Sequence, residues 1–158
     1  MSDSPSESVP RVSYVHAGEK PFVDVKAQMQ GEQRISVWLK MMNLTPERAF
    51  FHTRYDPGLV LQRHSHHSHH YVFVIRGDVW FDGEHCRAGS LIELPEGASF
   101  GPIVVGDSGA ETIEVYFGDC RPIPADLQEW EAIKQERGIT ELPNPELDVP
   151  DWFGERTD

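Results

Sequence analysis

Basic side chains are scarce in this 158-residue sequence, which has 14 Lys and Arg against 26 Asp and Glu and a formal net charge of −12. A chain this acidic repels phosphate groups unless its few basic residues concentrate on one face. The sequence contains no Lys/Arg cluster of that kind. We therefore expect no nucleic-acid partner.

Cysteine and long apolar segments are also scarce. Cys86 and Cys120 lie far apart without CxxC spacing, so we expect two reduced, partly buried thiols and no disulfide framework. No apolar stretch approaches the roughly 20 residues that a membrane helix needs. The first eight residues lack the charged segment and apolar run of a secretory signal. These absences predict a cytoplasmic protein without a membrane partner.

The length suits one domain with its own core. Residues 1–10 are rich in Ser, Pro and Glu and are predicted to be disordered. Residues 11–121 contain short apolar segments between Gly/Pro turns at intervals of about 8–12 residues, a pattern that predicts an all-β sandwich or barrel. The predicted strands are 35–41, 48–55, 71–75, 79–81, 90–94, 100–105 and 112–117, with turns at 56–58, 77–78, 82–83 and 106–109.

A helix and an acidic tail are predicted after this region, over residues 122–158. Residues 124–138 have Pro near the start, apolar residues three apart and Gly at the end, as one amphipathic helix does. Beyond the helix, Trp152 and Phe153 are the candidate anchors of the tail, either to the barrel or to a second subunit.

Five of the eight histidines fall in the segment His64–His70. Imidazole is the commonest protein ligand for first-row metals, so a coordinating role is the economical explanation. In a strand His64, His66 and His70 share one face, and His67 and His69 share the other. A bend must bring the third imidazole of the set close to the other two. The alternative is a solvated His-rich loop that binds metal adventitiously.

The spacing around these histidines is specific. The run Gly58-x5-His64-x-His66-x3-His70-x6-Gly77 resembles the first motif of the cupin superfamily, G-x5-H-x-H-x(3,4)-E-x6-G, with His70 in place of Glu. The run Gly89-x5-Pro95-x-Gly97-x2-Phe100-x3-Val104 resembles the second motif, G-x5-P-x-G-x2-H-x3-N, with Phe100 in place of the metal-binding His. The sequence is therefore similar to the small, single-domain, RmlC-like cupins.

This resemblance implies a cupin-type double-stranded β-helix, or jelly-roll barrel, followed by one C-terminal helix. It also implies one divalent metal ion on His64, His66 and His70, with Fe²⁺ favoured and Zn²⁺, Ni²⁺ or Mn²⁺ as alternatives. A site of three neutral histidines leaves the ion its full charge and makes it a strong Lewis acid. The fourth position stays open, since it can hold water or Asp107, Tyr71 or His69.

The resemblance further implies a metal-dependent enzyme that acts on a small organic substrate. A non-haem iron dioxygenase of a β-diketone or related enol-forming compound is favoured, because some diketone-cleaving cupins use three histidines. The alternatives are a non-catalytic ligand-binding or sensing cupin with a degenerate site, and a metal-dependent isomerase, cyclase or lyase. The family also pairs commonly, which implies a homodimer. Aromatic residues that can line the substrate pocket, or form plain core, are Phe50, Phe51, Tyr71, Trp80, Phe81 and Phe100.

Overall fold

The computed structural model describes residues 9–154, and most of this range is antiparallel β-structure. The strands are β1 (Val23–Gln30), β2 (Gln33–Leu44), β3 (Ala49–Tyr55), β4 (Val60–Leu61), β5 (His64–Ser65), β6 (Ser68–Phe81), β7 (Glu84–Arg87), β8 (Leu91–Leu94), β9 (Ile103–Gly118), β10 (Ile123–Pro124) and β11 (Ile139–Glu141). The α-helix is α1 (Leu127–Arg137), and short 3₁₀ helices span Ala17–Glu19 and Asp151–Phe153. The prediction of an all-β fold with one C-terminal helix is confirmed.

Nine of these strands form one sheet in the order β11-β1-β2-β3-β9-β6-β7, with β4 beside β9 and β8 beside β6. β5 and β10 form a separate antiparallel pair. The long pairing of β6 with β9 positions the site, because it sets His70 opposite Tyr116 and Val72 opposite Glu114. Side chains that alternate inward on these strands, such as Val74 and Val79, form the main hydrophobic core.

Two of the predicted turns between strands are wrong. Gly77-Asp78 lies inside β6, and residues 106–109 lie inside β9, so each long strand replaces two predicted short ones. Both segments are bulges, where the β6–β9 register shifts. Gly77 has φ +71°, and a Cβ there would clash with the carbonyl oxygen of Gly109. Glycine at position 77 therefore allows the backbones of β6 and β9 to approach closely, and it does not end the strand.

The other turn predictions agree with the structure. Asp82 (φ +51°) and Gly83 (φ +80°) form the two-residue turn between β6 and β7, with Phe81 paired to Glu84. Strand β1 was not among the predicted strands, although its apolar residues alternate with polar ones in the sequence VDVKAQMQ. Residues 1–8, which hold most of the predicted disordered segment, lie outside the described residues. Val9 and Pro10 are exposed and irregular.

Helix α1 begins at Leu127, three residues after the predicted start, since Pro124 belongs to β10, and it ends at the predicted glycine. The Asp126 carboxylate accepts a hydrogen bond from the Glu129 backbone N–H at 2.9 Å, and Gly138 ends the helix in the left-handed region. Trp130 is buried with Val60 and Ile139, which fixes the helix against the sheet. Strand β11 then pairs with β1 at the sheet edge. No helix within residues 9–154 is long and apolar enough to cross a bilayer.

Candidate metal and substrate site

A cavity of about 310 Å³ lies between the inner faces of β2, β3, β6 and β9 and the C-terminal segment. Its walls are largely apolar, with Val37, Leu39 and Val72 among the lining side chains. His64, His66 and His70 all contribute to this lining. The size and apolar character suit a small organic ligand, since such sites start at about 300 Å³.

The three histidines reach the cavity from consecutive parts of the chain. His64 comes from β5, His70 comes from β6, and His66 lies in the bend between the two strands. The ring centroids are 5.2 Å apart for His64 and His66 and 5.0 Å apart for His66 and His70. Two imidazoles that bind one ion through nitrogens at about 2.0–2.1 Å have ring centres roughly 4.5–5.5 Å apart. Adjacent rings therefore have the spacing that a shared ion requires.

Backbone carbonyls fix the tautomers of two of these rings. Nδ1 of His64 lies 2.8 Å from the Gln62 carbonyl oxygen, and Nδ1 of His66 lies 3.2 Å from the Arg121 carbonyl oxygen. Since a carbonyl oxygen only accepts, each Nδ1 carries the proton and each Nε2 keeps its lone pair. Metal-bound histidines are usually oriented in this way by the second ring nitrogen.

Three buried imidazole nitrogens have no hydrogen-bond partner among the described residues: Nε2 of His66 and both nitrogens of His70. Burial is the main cause that lowers the pKa of His66 to about 3 and that of His70 to about 2, and it also lowers the pKa of His64. The three rings are therefore neutral at physiological pH, which is the form that binds metals. A buried polar atom without a partner costs about 1–3 kcal/mol.

These observations fit a divalent cation, but the coordination geometry is incomplete. Within residues 9–154, no three side chains of His, Cys, Asp or Glu are arranged as a complete ligand set. The three histidines thus supply neighbouring, neutral and unpartnered donor atoms in one cavity. They do not form a finished coordination sphere in this conformation.

The remaining histidines of the segment point elsewhere. His67 is exposed, and His69 lies on the outer face of β6, where its Nε2 is 3.6 Å from a Glu93 carboxylate oxygen. Asp107 is exposed in the bulge of β9. Neither His69 nor Asp107 is among the lining residues of the cavity.

Among the aromatic residues proposed for the pocket, Phe51, Phe81 and Phe100 line the cavity. The centroid of the Phe100 ring is 4.4 Å from that of His64, so Phe100 occupies the wall where the second cupin motif normally supplies histidine. Phe50 is 38% exposed on the opposite face of β3.

The expectation that Tyr71 and Trp80 line the pocket does not match the structure. Tyr71 follows His70 on β6, so it points to the outer face, where its ring lies 5.0 Å from that of His69. Trp80 stacks on His85 with ring centroids 4.2 Å apart, also outside the cavity lining. Both residues lie on β6 between neighbours that point into the barrel, so strand alternation turns the side chains of Tyr71 and Trp80 to the outer face.

Sequence reasoning missed Glu114, a buried carboxyl group that lines the same cavity. Its Oε1 accepts a 2.6 Å hydrogen bond from the Tyr55 hydroxyl, and its Oε2 accepts one of 3.2 Å from the Tyr116 hydroxyl. The Tyr116 ring also stacks on His70 at 3.8 Å. Strand alternation was the signal that could have identified Glu114. Thr112, Glu114 and Tyr116 are two residues apart and so share one face of the strand, and glutamate is rare on a buried face.

The C-terminal segment closes one side of the cavity through Asn144, Leu147 and Phe153. Phe153 packs against the hydrophobic cluster that contains Phe51 and Tyr116, so the tail is anchored to the sheet of its own chain. The Arg121 guanidinium donates to the carbonyl oxygens of Trp152 (3.2 Å) and Gly154 (3.1 Å). Both cysteines are free thiols, and Cys120 lies in the cavity lining.

Comparison with protein families gives a match to the ChrR cupin-like domain over residues 13–119. The match spans more than half of the chain, so this protein belongs to the ChrR cupin-like family. The resemblance to the cupin superfamily is thereby confirmed. Comparison with curated protein sequences finds no significant match.

Solved structures agree on the fold. A candidate acetylacetone dioxygenase from Methylibium petroleiphilum PM1 is similar with a TM-score of 0.63 and 12% identity, covering 82% of this chain and 96% of that one. The polyketide cyclase RemF from Streptomyces resistomycificus has a TM-score of 0.57 and 17% identity, with coverages of 74% and 87%. KdgF from Halomonas sp. has a TM-score of 0.54 and 21% identity, with coverages of 67% and 93%. At these identities the similarity establishes the cupin fold alone.

Proposed function

We propose that this protein is a metal-dependent enzyme that acts on a small, enol-forming organic substrate. The observation that supports the proposal is the set of buried, neutral and unpartnered imidazole nitrogens in an apolar cavity. His64, His66 and His70 would hold the ion. When bound, the ion supplies Lewis acidity that polarises a substrate carbonyl group.

The residues around the histidines support one substrate class. Phe51, Phe81 and Phe100 supply apolar surface, and the cavity volume of about 310 Å³ admits a molecule of the size of a simple ketone. The buried carboxyl of Glu114 disfavours an anionic substrate near it. A neutral diketone or aryl ketone, which acquires charge only as its enolate, suits both properties.

Within this class we favour a dioxygenase that contains Fe²⁺ and cleaves a β-diketone or a hydroxyaryl ketone. The fold similarity to a candidate acetylacetone dioxygenase is consistent with this choice. The similarity to a polyketide cyclase is consistent with the alternative, a reaction that needs Lewis acidity without oxygen. Oxygen consumption with pentane-2,4-dione or with a hydroxyaryl ketone such as 4-hydroxyphenacyl alcohol separates the two.

The first experiment measures bound metal in protein made without an affinity tag. Elemental analysis should find about one divalent ion per chain in the wild type. His64→Ala, His66→Ala and His70→Ala should each lose most of it, because each removes one donor. His67→Ala is the matched control and should keep the ion, since His67 is exposed outside the cavity. Equal losses in all four variants would mean that the segment binds metal adventitiously.

A further inference from the structure

Among the described residues that line the cavity, Glu114 is the one with a carboxyl group, and the metal proposal leaves it unused. It lies on β9, with 7% of its surface exposed. The rest of the cavity wall is mostly apolar, and its other polar side chains are hydroxyl groups, the three histidines, Lys26, Gln62, Cys120 and Asn144. Among the described residues no Lys or Arg forms an ion pair with it. Its partners are the hydroxyl groups of Tyr55, Tyr116 and Thr112, the last at 3.5 Å.

The hydrogen bonds leave one oxygen of this carboxylate better able to accept a further proton. Oε1 accepts from both Tyr55 and Thr112, whereas Oε2 accepts from Tyr116 alone. Because each carboxylate oxygen accepts about two hydrogen bonds, Oε2 retains an acceptor position. The stacking of Tyr116 on His70 places this part of the wall beside the histidines.

Burial makes Glu114 a stronger base than an exposed carboxylate. Burial raises its pKa above the ordinary value of 4.5, although the hydroxyl donors oppose this effect. Burial and the neighbouring Glu114 charge raise the pKa of Tyr55 and Tyr116 well above 10. The two phenols therefore remain hydrogen-bond donors that hold the carboxylate in place, and they do not compete with it as bases.

We propose that Glu114 is a catalytic residue, the general base that abstracts a proton from the carbon next to the substrate carbonyl. This inference rests on the proposed function, because it requires an enol-forming substrate. The substrate C–H bond breaks and its electron pair forms the enolate, while the proton forms an O–H bond on Glu114. The reverse transfer returns the proton to carbon. This step needs no oxidant.

Hydrogen–deuterium exchange at carbon measures this step without turnover. The probe is phenacyl alcohol in deuterated buffer under nitrogen, with loss of the methylene signal followed by proton NMR. The wild-type protein, with its metal as isolated, should exchange the methylene protons faster than buffer alone. Glu114→Gln should slow the exchange by at least about 100-fold, the usual contribution of a general base.

The control on the same strand is Glu111→Gln, which replaces a carboxyl that faces His52 and Arg76 outside the cavity. Its exchange rate should stay within about twofold of the wild type. Circular dichroism and elemental analysis of both variants report fold and bound metal. If Glu114→Gln does not fold, Glu114→Asp replaces it, and the withdrawn carboxylate should slow exchange by at least about tenfold.

The outcomes separate this inference from the proposed function. Wild-type exchange rates in Glu114→Gln, with metal and fold retained, would overturn the role of Glu114 and show a purely structural carboxyl. No exchange above buffer in the wild type would overturn it as well. The wild type could also contain no metal and still exchange the methylene protons faster than Glu114→Gln does. That result would support the role of Glu114 and would remove the metal from the proposed function.

Discussion

Acid should destabilise the metal-free protein through two buried histidines. His66 and His70 are 4% and 2% exposed, and their pKa values in the folded chain are about 3 and about 2, against an ordinary value of 6.5. Below pH 6.5 the unfolded chain binds a proton at each ring and the folded chain does not. The free energy of unfolding therefore falls as the pH falls from about 6.5 towards 3.

The size of the effect follows from proton linkage. Between pH 7.5 and pH 5.5 each imidazole should reduce the free energy of unfolding by about 1.4 kcal/mol, and the pair by about 2.7 kcal/mol. His64, whose pKa is also lowered, acts in the same direction. Glu114 acts in the opposite direction, because a carboxyl with a raised pKa binds its proton more tightly in the folded state.

The assay is urea denaturation of chelator-treated protein at both pH values. The double variant His66→Gln, His70→Gln cannot titrate at these positions, and the contributions of His64 and Glu114 are common to both proteins. The wild type should lose about 2.7 kcal/mol more than the double variant between the two pH values. His67→Gln, at an exposed position, should behave as the wild type. Equal losses in wild type and double variant would refute the burial argument.

Three further predictions concern the fold, the second motif and assembly. Gly77→Ala should lower the free energy of unfolding, measured in urea, by more than about 2 kcal/mol, because the added Cβ meets the Gly109 carbonyl oxygen. The control Gly31→Ala should cost about 1 kcal/mol, because its Cβ meets no other atom and only the positive φ is unfavourable. Phe100→His should lower the dissociation constant for Zn²⁺ at least about tenfold in chelator competition, since it adds an imidazole beside His64; unchanged affinity would contradict this placement. If the expected homodimer uses the outer sheet face around Phe117, which is 58% exposed, Phe117→Glu should yield monomers in sedimentation velocity, and a monomeric wild type would disprove the dimer.

The strand and helix content of this protein could be predicted from local sequence. Alternation in β2 and β3, the Asp82-Gly83 turn and the capping signals of α1 act over a few residues, so each is visible without tertiary contacts. The spacing of the histidines and of the Gly/Pro positions in residues 58–104 was enough to indicate a cupin. The continuity of β6 and β9 was hidden, because a glycine that permits a bulge has the same local signal as one that ends a strand.

Strand periodicity predicted one shared face for His64, His66 and His70. A bend at His66 separates β5 from β6, so the tertiary structure decides that the three rings line one cavity. Their shared cavity and loss of hydrogen-bond partners depend on β9 and on the C-terminal segment, which are remote in the chain. The same tertiary contacts brought Tyr55 and Tyr116 to Glu114 and closed the cavity with Phe153. Local sequence specifies which way a side chain points, whereas its burial and its pKa depend on what the rest of the chain packs against it.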